Sequence, residues 1–296
     1  MHAGSQETVG SRPGSGPIDL HAHSSVSDGT ESPAELVAAG VAAGLGVLAI
    51  TDHDSTAGWV PAFEAAEGTG LTILPGMELS TQLDGASVHI LAYLVDPADP
   101  ALLAETEKIR AERLHRAEAM VQRIARDYAL DWEDVLAQTT PGATVGRPHI
   151  ADALVARGHV PDRSAAFASI LHWRGGYYRP HEAPKPLHGV ELIVGAGGVP
   201  VLAHPGARGP ERVLSESRIR ALVDAGLAGV EVRHRDNPPA SQARWTEVAA
   251  RYGLFTTGSS DYHGAGKPNR LAENTTEAAA YEAIVARGTG ANPFEG

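Results

Sequence analysis

The strongest constraint on this chain is a repeated unit, a short apolar run that closes on histidine or carboxylate and is followed by a stretch of helical character. Seven such runs can be read, at Ile18 to His23, Val47 to Asp54, Leu71 to Leu79, Val88 to Val95, Val199 to Pro205, Gly229 to His234 and Leu254 to His263. Strands alternating with helices in this way predict a parallel sheet built from βα units. Six of the seven carry their chemistry at the C-terminal end: His21 and His23, Asp52 to Asp54, Glu78, His204, Glu231 with His234, and Asp261 with His263. Parallel α/β folds collect functional groups at the carboxyl ends of their strands, and histidines scattered at random would show no such preference. His89 is the exception, because it opens its run. Either it reaches in from a neighbouring loop or its strand runs against the others.

Alternate side chains of a strand share a face, so His21 and His23 project together, and Asp28 can fold back as an oxygen donor. Neutral imidazole is the commonest protein ligand for a divalent metal. The chain has no cysteine, which excludes disulfides, thiolate zinc sites and cysteine nucleophiles. Imidazole and carboxylate without thiolate suit manganese, iron or zinc. Neither a Gly-x-x-x-x-Gly-Lys-Ser/Thr loop nor a Gly-x-Ser-x-Gly elbow is present, so P-loop and serine-hydrolase readings fall away. A chain of 296 residues, 43% hydrophobic, can bury one large core. It contains no run of about 18 apolar residues that would span a membrane. Residues 1–17, rich in Gly, Ser and Pro, are expected to form a disordered tail and not a signal peptide, and the expected location is cytoplasmic. The formal charge of −12 argues against long duplex nucleic acid as a partner. A small anionic substrate is still compatible, since bound metal would reverse the local potential.

Helix signals fill the intervals. Ser32-Pro33-Ala34-Glu35 is a capping box with proline at the first helical position, and the helix it starts should run to about Gly44. Residues 97–184 interrupt the alternation and are expected to form an inserted helical cap between the fourth and fifth strands, leaving 18–96 and 185–296 for the barrel. Ala101 to Leu130 should be a long helix with Leu102, Ile109, Leu114, Val121 and Ile124 as its apolar stripe. Asp131 caps a second helix. Arg147-Pro148-His149 opens a third, which Gly158 ends. A helix start beside an arginine makes a seat for phosphate, so Arg147 and His149 are candidate substrate contacts, against a surface ion pair for the arginine. The segment Trp173 to Pro180, with Tyr178, can stack on a base or simply pack the insertion onto the barrel. Lys185 to Gly198 and Thr275 to Gly288 complete the helices.

The residues that close the runs carry a family resemblance. His21-Ala22-His23, Thr51-Asp52-His53-Asp54, Gly76-Met77-Glu78, Leu202-Ala203-His204-Pro205 and Ser260-Asp261-Tyr262-His263-Gly264 resemble the ordered motifs of the PHP (polymerase and histidinol phosphatase) superfamily, from about residue 18 to residue 290. Gly146 to His149 and Gly229 to His234 most resemble the bacterial branch of small phosphoesterases acting on nucleoside 3′,5′-bisphosphates and short RNA. The resemblance implies a distorted (β/α)7 barrel holding three divalent metal ions, with manganese favoured over zinc or iron. Carried over by position, His21, His23, Glu78 and Asp261 would bind one ion. Asp28, His53 and His263 would bind a second, and Glu78 would bridge to a third with His89 and His204. Asp52 and Asp54 would not be obligatory ligands: Asp52 would orient His53 from outside the ligand set, or both would simply cap the following helix. His234 would protonate the leaving oxygen or bond a phosphate. Arg233 and Arg235 stand where close relatives often carry an aromatic residue.

The expected activity is hydrolysis of the 3′-phosphate ester of a small nucleotide, extending to short 5′-phosphorylated RNA. A sugar-phosphate or histidinol-phosphate phosphatase on the same barrel is the competing enzyme reading. A non-catalytic metal-binding or polymerase-associated module is the alternative of another class, disfavoured because every ligand position is filled.

Overall fold

The structure is a computed structural model that describes residues 15–180, 182–207 and 209–296. Most of the expected tail, residues 1–14, lies outside the described residues; the Pro17 carbonyl at its end accepts the amides of Gly46 and Val47. The first half of the chain runs β1 (Ile18–Asp19), α1 (Pro33–Ala42), β2 (Val47–Ile50), α2 (Trp59–Ala66), β3 (Thr72–Leu83) and β4 (Ala86–Tyr93). Four helices follow, α3 (Pro100–Ile124), α4 (Trp132–Leu136), α5 (Arg147–Ala156) and α6 (Arg163–Ala168). The chain then returns through α7 (Pro186–Gly195), β5 (Val199–Leu202), α8 (Pro210–Val213), α9 (Glu216–Asp224), β6 (Gly229–Arg233), α10 (Pro239–Tyr252), β7 (Phe255–Gly258), α11 (Ala278–Arg287) and β8 (Phe294–Glu295). Local chemistry accounts for the helix starts. Ser32 caps α1 with both bonds of the box, Asp99 accepts the Leu102 amide at the head of α3, and Asp131 caps α4.

Strands β1 to β7 lie side by side in sequence order, and β8 adds to β3 outside that path. All neighbours along the path are parallel except β3–β4 and β4–β5. Strand β4 therefore runs against the others, which brings the start of β4, with His89, to the end of the sheet where the other strands finish. The path nearly closes into a barrel. Beyond the ends of β1 and β7, Ala22 bridges Tyr262 and the His23 amide donates to the Tyr262 carbonyl at 2.9 Å. The seam of the barrel thus runs through the two segments that carry His21, His23, Asp261 and His263.

Strand alternation sorts the core. Leu48, Ile50, Ile73, Leu79 and Ile90 meet Leu36, Trp59, Ile193 and Trp245 of the surrounding helices. Val47, Ala49, Leu74, Leu91, Tyr93 and Val201 form a second cluster on the strand faces that carry His53, Glu78 and His89 further along, and Ile284 of α11 packs into it. A third cluster is built from α3 to α6, with Met120, Val121, Ile124, Val135, Ile150, Leu154 and Leu171. Helix α3 belongs to two clusters, since Leu102 and Ile109 pack on the barrel and Val121 and Ile124 on the other inserted helices. No helix among the described residues is long and apolar enough to cross a membrane.

Candidate metal centre

The strand ends deliver their side chains to one buried point. The Nε2 atoms of His21 and His23 face each other at 3.1 Å, and both lie against Glu78 Oε2, at 3.2 and 3.1 Å. Asp261 Oδ1 completes the group at 3.5 and 3.4 Å from the same nitrogens. Ligand atoms held about 2.0–2.2 Å from a common ion are themselves roughly 3–3.5 Å apart, and these four atoms have that spacing. Asp28 Oδ1 lies 3.2 Å from His263 Nε2 and 3.6 Å from His23 Nδ1. On the other side of Glu78, Oε1 meets His89 Nδ1 at 2.7 Å and His204 Nε2 at 3.0 Å, while Oε2 lies 3.3 Å from His53 Nδ1. Among the described residues, the sets compact enough to share an ion are His21–His23–Glu78–Asp261, His23–Asp28–His263 and His53–Glu78–His89. His53 thus sits nearer Glu78 than the expected partition, since its Nε2 is 3.8 Å from Asp28 Oδ2.

The charge balance of these groups calls for cations. Burial resists ionisation of Glu78, yet His89, His53 and His21 around it hold its carboxyl well below the usual carboxylate range. Asp28 is held low against burial by His263 and His53, and Asp261 by Lys267 and His263. Burial would push His23 down, but Asp261 and Glu78 bring it up to about 9. Burial also acts on His21, where Glu231, Glu78 and Asp261 prevail and raise it. His263 goes the other way, to about 4, through burial and the Lys267 ammonium. Ionised carboxylates packed this closely and balanced by protons on two imidazoles are a donor set that fits divalent ions, which would displace those protons.

Several of these side chains leave their strands on strained backbone. Asp54, His204 and Asp261 have φ of 53°, 23° and 53°, a region disfavoured for any residue with a Cβ and concentrated at functional sites. Around them stands a shell that the sequence reading used differently. Asp52 accepts bonds from the Ser24 amide and the Ser24 and Ser27 hydroxyls, so it shapes the loop bearing Asp28 in place of orienting His53. Neither Asp52 nor Asp54 caps α2, whose cap position is Gly58 with no side-chain bond. Asp54 instead accepts the Ser80 amide and hydroxyl and pairs with Arg113 Nε at 3.0 Å. Glu231, absent from the expected site, is fully buried; one oxygen lies 3.1 Å from His21 Nδ1 and the other accepts the His204 amide at 2.8 Å. Its place at a strand end was the available signal. His234 Nδ1 accepts the Asp236 amide, which puts the proton of the neutral ring on Nε2, 3.4 Å from Asp261 Oδ2.

The candidate substrate residues divide. Arg147 lies over the rings of Phe167 and Tyr178 at 5.2 and 5.4 Å, and Arg116 over Tyr178 at 6.0 Å. Burial, with the charges of Arg147 and Arg113, pulls Arg116 down to about 9. Arg113 also donates to Ser80 Oγ at 2.6 Å, two residues along β3 from Glu78. Three arginines therefore gather together, and Arg113 joins that group to Ser80 and Asp54 and to the surroundings of His53. Sequence reading found only Arg147, because Arg113 and Arg116 belong to a helix that is charged along most of its length. His149 is buried, and its Nδ1 accepts the Gly146 amide at 3.1 Å; the ring is committed to the start of α5. Tyr177, in the same segment as Tyr178, bonds Asp127 through its hydroxyl.

Comparison with known proteins agrees with this geometry. The PHP domain family model matches residues 19–139. A 3′,5′-nucleoside bisphosphate phosphatase of Chromobacterium violaceum is 34% identical over 261 residues, covering 88% of this chain and 92% of that protein. A phosphoribosyl 1,2-cyclic phosphate 1,2-diphosphodiesterase of Eggerthella lenta is also 34% identical, over 83% of this chain and 94% of its own length. A crystal structure from Bifidobacterium adolescentis, described as a candidate metal-dependent phosphoesterase, superposes with a TM-score of 0.90 at 43% identity and covers 94% of this chain and 98% of that one. With identity sustained along nearly the whole barrel and the motif residues converging on one centre, the chain belongs to the PHP domain family.

Proposed function

We propose that this protein is a metal-dependent phosphoester hydrolase that cleaves the 3′-phosphate ester of a small nucleotide, freeing the 3′-phosphate of a nucleoside 3′,5′-bisphosphate or releasing the terminal 5′-mononucleotide of a short 5′-phosphorylated RNA. The observation that carries this reading is the meeting of two charge patterns, buried carboxylates and imidazoles within reach of a common ion and, beside His53, Arg113 leading to a group of three arginines. His21, His23, Asp28, His53, Glu78, His89, His204, Asp261 and His263 would hold three divalent ions, manganese by preference, with Glu78 shared between positions. Bound there, the ions would supply Lewis acidity toward a phosphoryl group and lower the pKa of water, so no protein nucleophile is required. Asp54 and Ser80 aim Arg113, and Tyr178 and Phe167 support Arg116 and Arg147, so the distal phosphate meets guanidinium groups already in place. His234, whose bond from the Asp236 amide leaves its proton on Nε2, would give that proton to the leaving oxygen. The helices between β4 and β5 would cap the site. A relative of equal identity is named for a cyclic phosphodiester, which makes a diester of similar size the second substrate class to assay.

The test compares kcat/KM for adenosine 3′,5′-bisphosphate and adenosine 3′-monophosphate with manganese-loaded protein. A charge-assisted contact of about 3 kcal/mol predicts roughly 10²-fold preference for the bisphosphate. In Arg147→Ala the preference should collapse while p-nitrophenyl phosphate is hydrolysed about as before. If the unaltered protein treats both nucleotides alike, the arginines do not read a 5′-phosphate and the sugar-phosphate reading moves ahead.

A further inference from the structure

The loop between β1 and α1 carries Asp28, and its backbone is gripped from the inserted helices. Thr140 donates its hydroxyl to the Ser25 carbonyl at 2.7 Å, and the Thr144 amide donates to the Val26 carbonyl at 2.9 Å. Arg163 Nη1 reaches the carbonyl of Asp28 itself, at 2.9 Å. That guanidinium is held at its other edge, where Nε and Nη2 fork onto the two carboxylate oxygens of Asp152 in α5. The side chain is only 11% exposed. It also lies flat against Gly266, where a Cβ would fall 2.1 Å from Nη1, and the Gly266 amide donates to the His263 carbonyl at 3.2 Å. One arginine from the insertion therefore touches the backbone beside two of the three members of the His23–Asp28–His263 group.

We propose that Arg163, aimed by Asp152, is a positioning residue through which the inserted helices complete this metal position. The proposal rests on reading Asp28 and His263 as ligands. The Asp28 carbonyl and carboxylate share one Cα, so releasing the carbonyl lets the carboxylate drift relative to His263 Nε2, now 3.2 Å away. Loss of such outer partners typically lowers metal affinity roughly 10- to 100-fold. Lysine replaces the arginine only in part, because a single ammonium can reach the carbonyl or Asp152 but lacks the planar fork that engages both together.

The experiment is isothermal titration of the chelator-stripped full chain with Mn2+, comparing the unaltered protein with R163M, R163K, D152N and D28N. The expected result is one class of sites weakened roughly 10- to 100-fold in R163M, with the remaining sites unchanged and smaller shifts in R163K and D152N. Thermal melts accompany each titration. If R163M and D152N melt earlier yet bind Mn2+ with unaltered affinity and stoichiometry at 25 °C, the residue is merely structural and the proposal is overturned. D28N separates the two levels: loss of a site there with full binding in R163M rejects the role of Arg163 alone, whereas full binding in D28N rejects the ligand reading and the proposal with it. Should R163M fail to fold, D152N carries the same decision.

Discussion

His149 illustrates how a side chain chosen for its chemistry can be committed to architecture. Its ring is buried and accepts the Gly146 amide through Nδ1, an acceptor role that only the neutral ring can fill. Burial, opposed by Asp28 and Asp152, holds its pKa below the ordinary 6.5. The unfolded chain takes up a proton near 6.5 that the folded chain refuses, so this contribution to stability is complete above that pH. It is lost as pH falls from 6.5 toward the folded value, at no more than about 1.4 kcal/mol per pH unit. We expect His149→Gln, whose amide oxygen can accept the same bond, to lose less stability than the unaltered protein between pH 8 and pH 5.5. Urea midpoints of both proteins in chelator give the comparison, and parallel pH curves would refute it. Asp52 makes the related point that a polar residue next to a ligand need not serve that ligand, since its bonds go to Ser24 and Ser27.

At the scale of elements, the direction of β4 matters most. Being antiparallel to both neighbours, it places His89 opposite Ser80 in the β3 register, two residues from Glu78, and so brings a candidate donor from its beginning where the others bring theirs from their ends. Helix α7 covers β3 and β4 through a glycine. A Cβ on Gly189 would fall 2.8 Å from Thr81 Cγ2 and 3.3 Å from Leu79 Cδ2. Glycine to alanine within a helix ordinarily stabilises by about 1 kcal/mol, but overpacking against a strand costs about 1–3 kcal/mol, so here the sign reverses. Gly189→Ala should lower the urea midpoint with an unchanged m-value; a higher midpoint would show that α7 can lift off the sheet at no cost.

At the scale of the whole molecule, the barrel closes through its functional site. The seam between β1 and β7 is bridged at Ala22 and Tyr262, flanked by His21, His23, Asp261 and His263, so ions bound between those segments would join the two ends of the sheet. Ligand that binds only the folded chain adds about 2.7 kcal/mol at a hundred times its dissociation constant. For a chain of this size that corresponds to a rise in Tm on the order of 5 °C. Removing metal with a chelator should produce a drop of that order, restored by Mn2+ and not by Ca2+ at equal concentration. Identical melting curves with and without chelator would mean that the seam holds without metal.

What the sequence determined by itself was whatever depends on local chemistry and strand periodicity. Proline and capping residues start α1, α3 and α4, alternation gives each strand two faces, and the closing residues of the runs announce a metal-binding PHP barrel. The first, second and seventh strands read from periodicity run longer than those that form, because past Asp19, Ile50 and Gly258 the chain leaves the ladder to present its polar side chains, whereas β3 runs beyond its expected end to Leu83. Strand β8 is two residues long and too short for any period to reveal. Tertiary structure alone decided which ligand atoms share a position, that Glu231 backs His21 and the His204 backbone, that Arg113 and Arg116 join Arg147, and that Arg163 reaches Asp28 across 135 residues. Such pairings depend on how elements distant in sequence pack, and a side chain's type and spacing carry no record of the partner that packing brings to it.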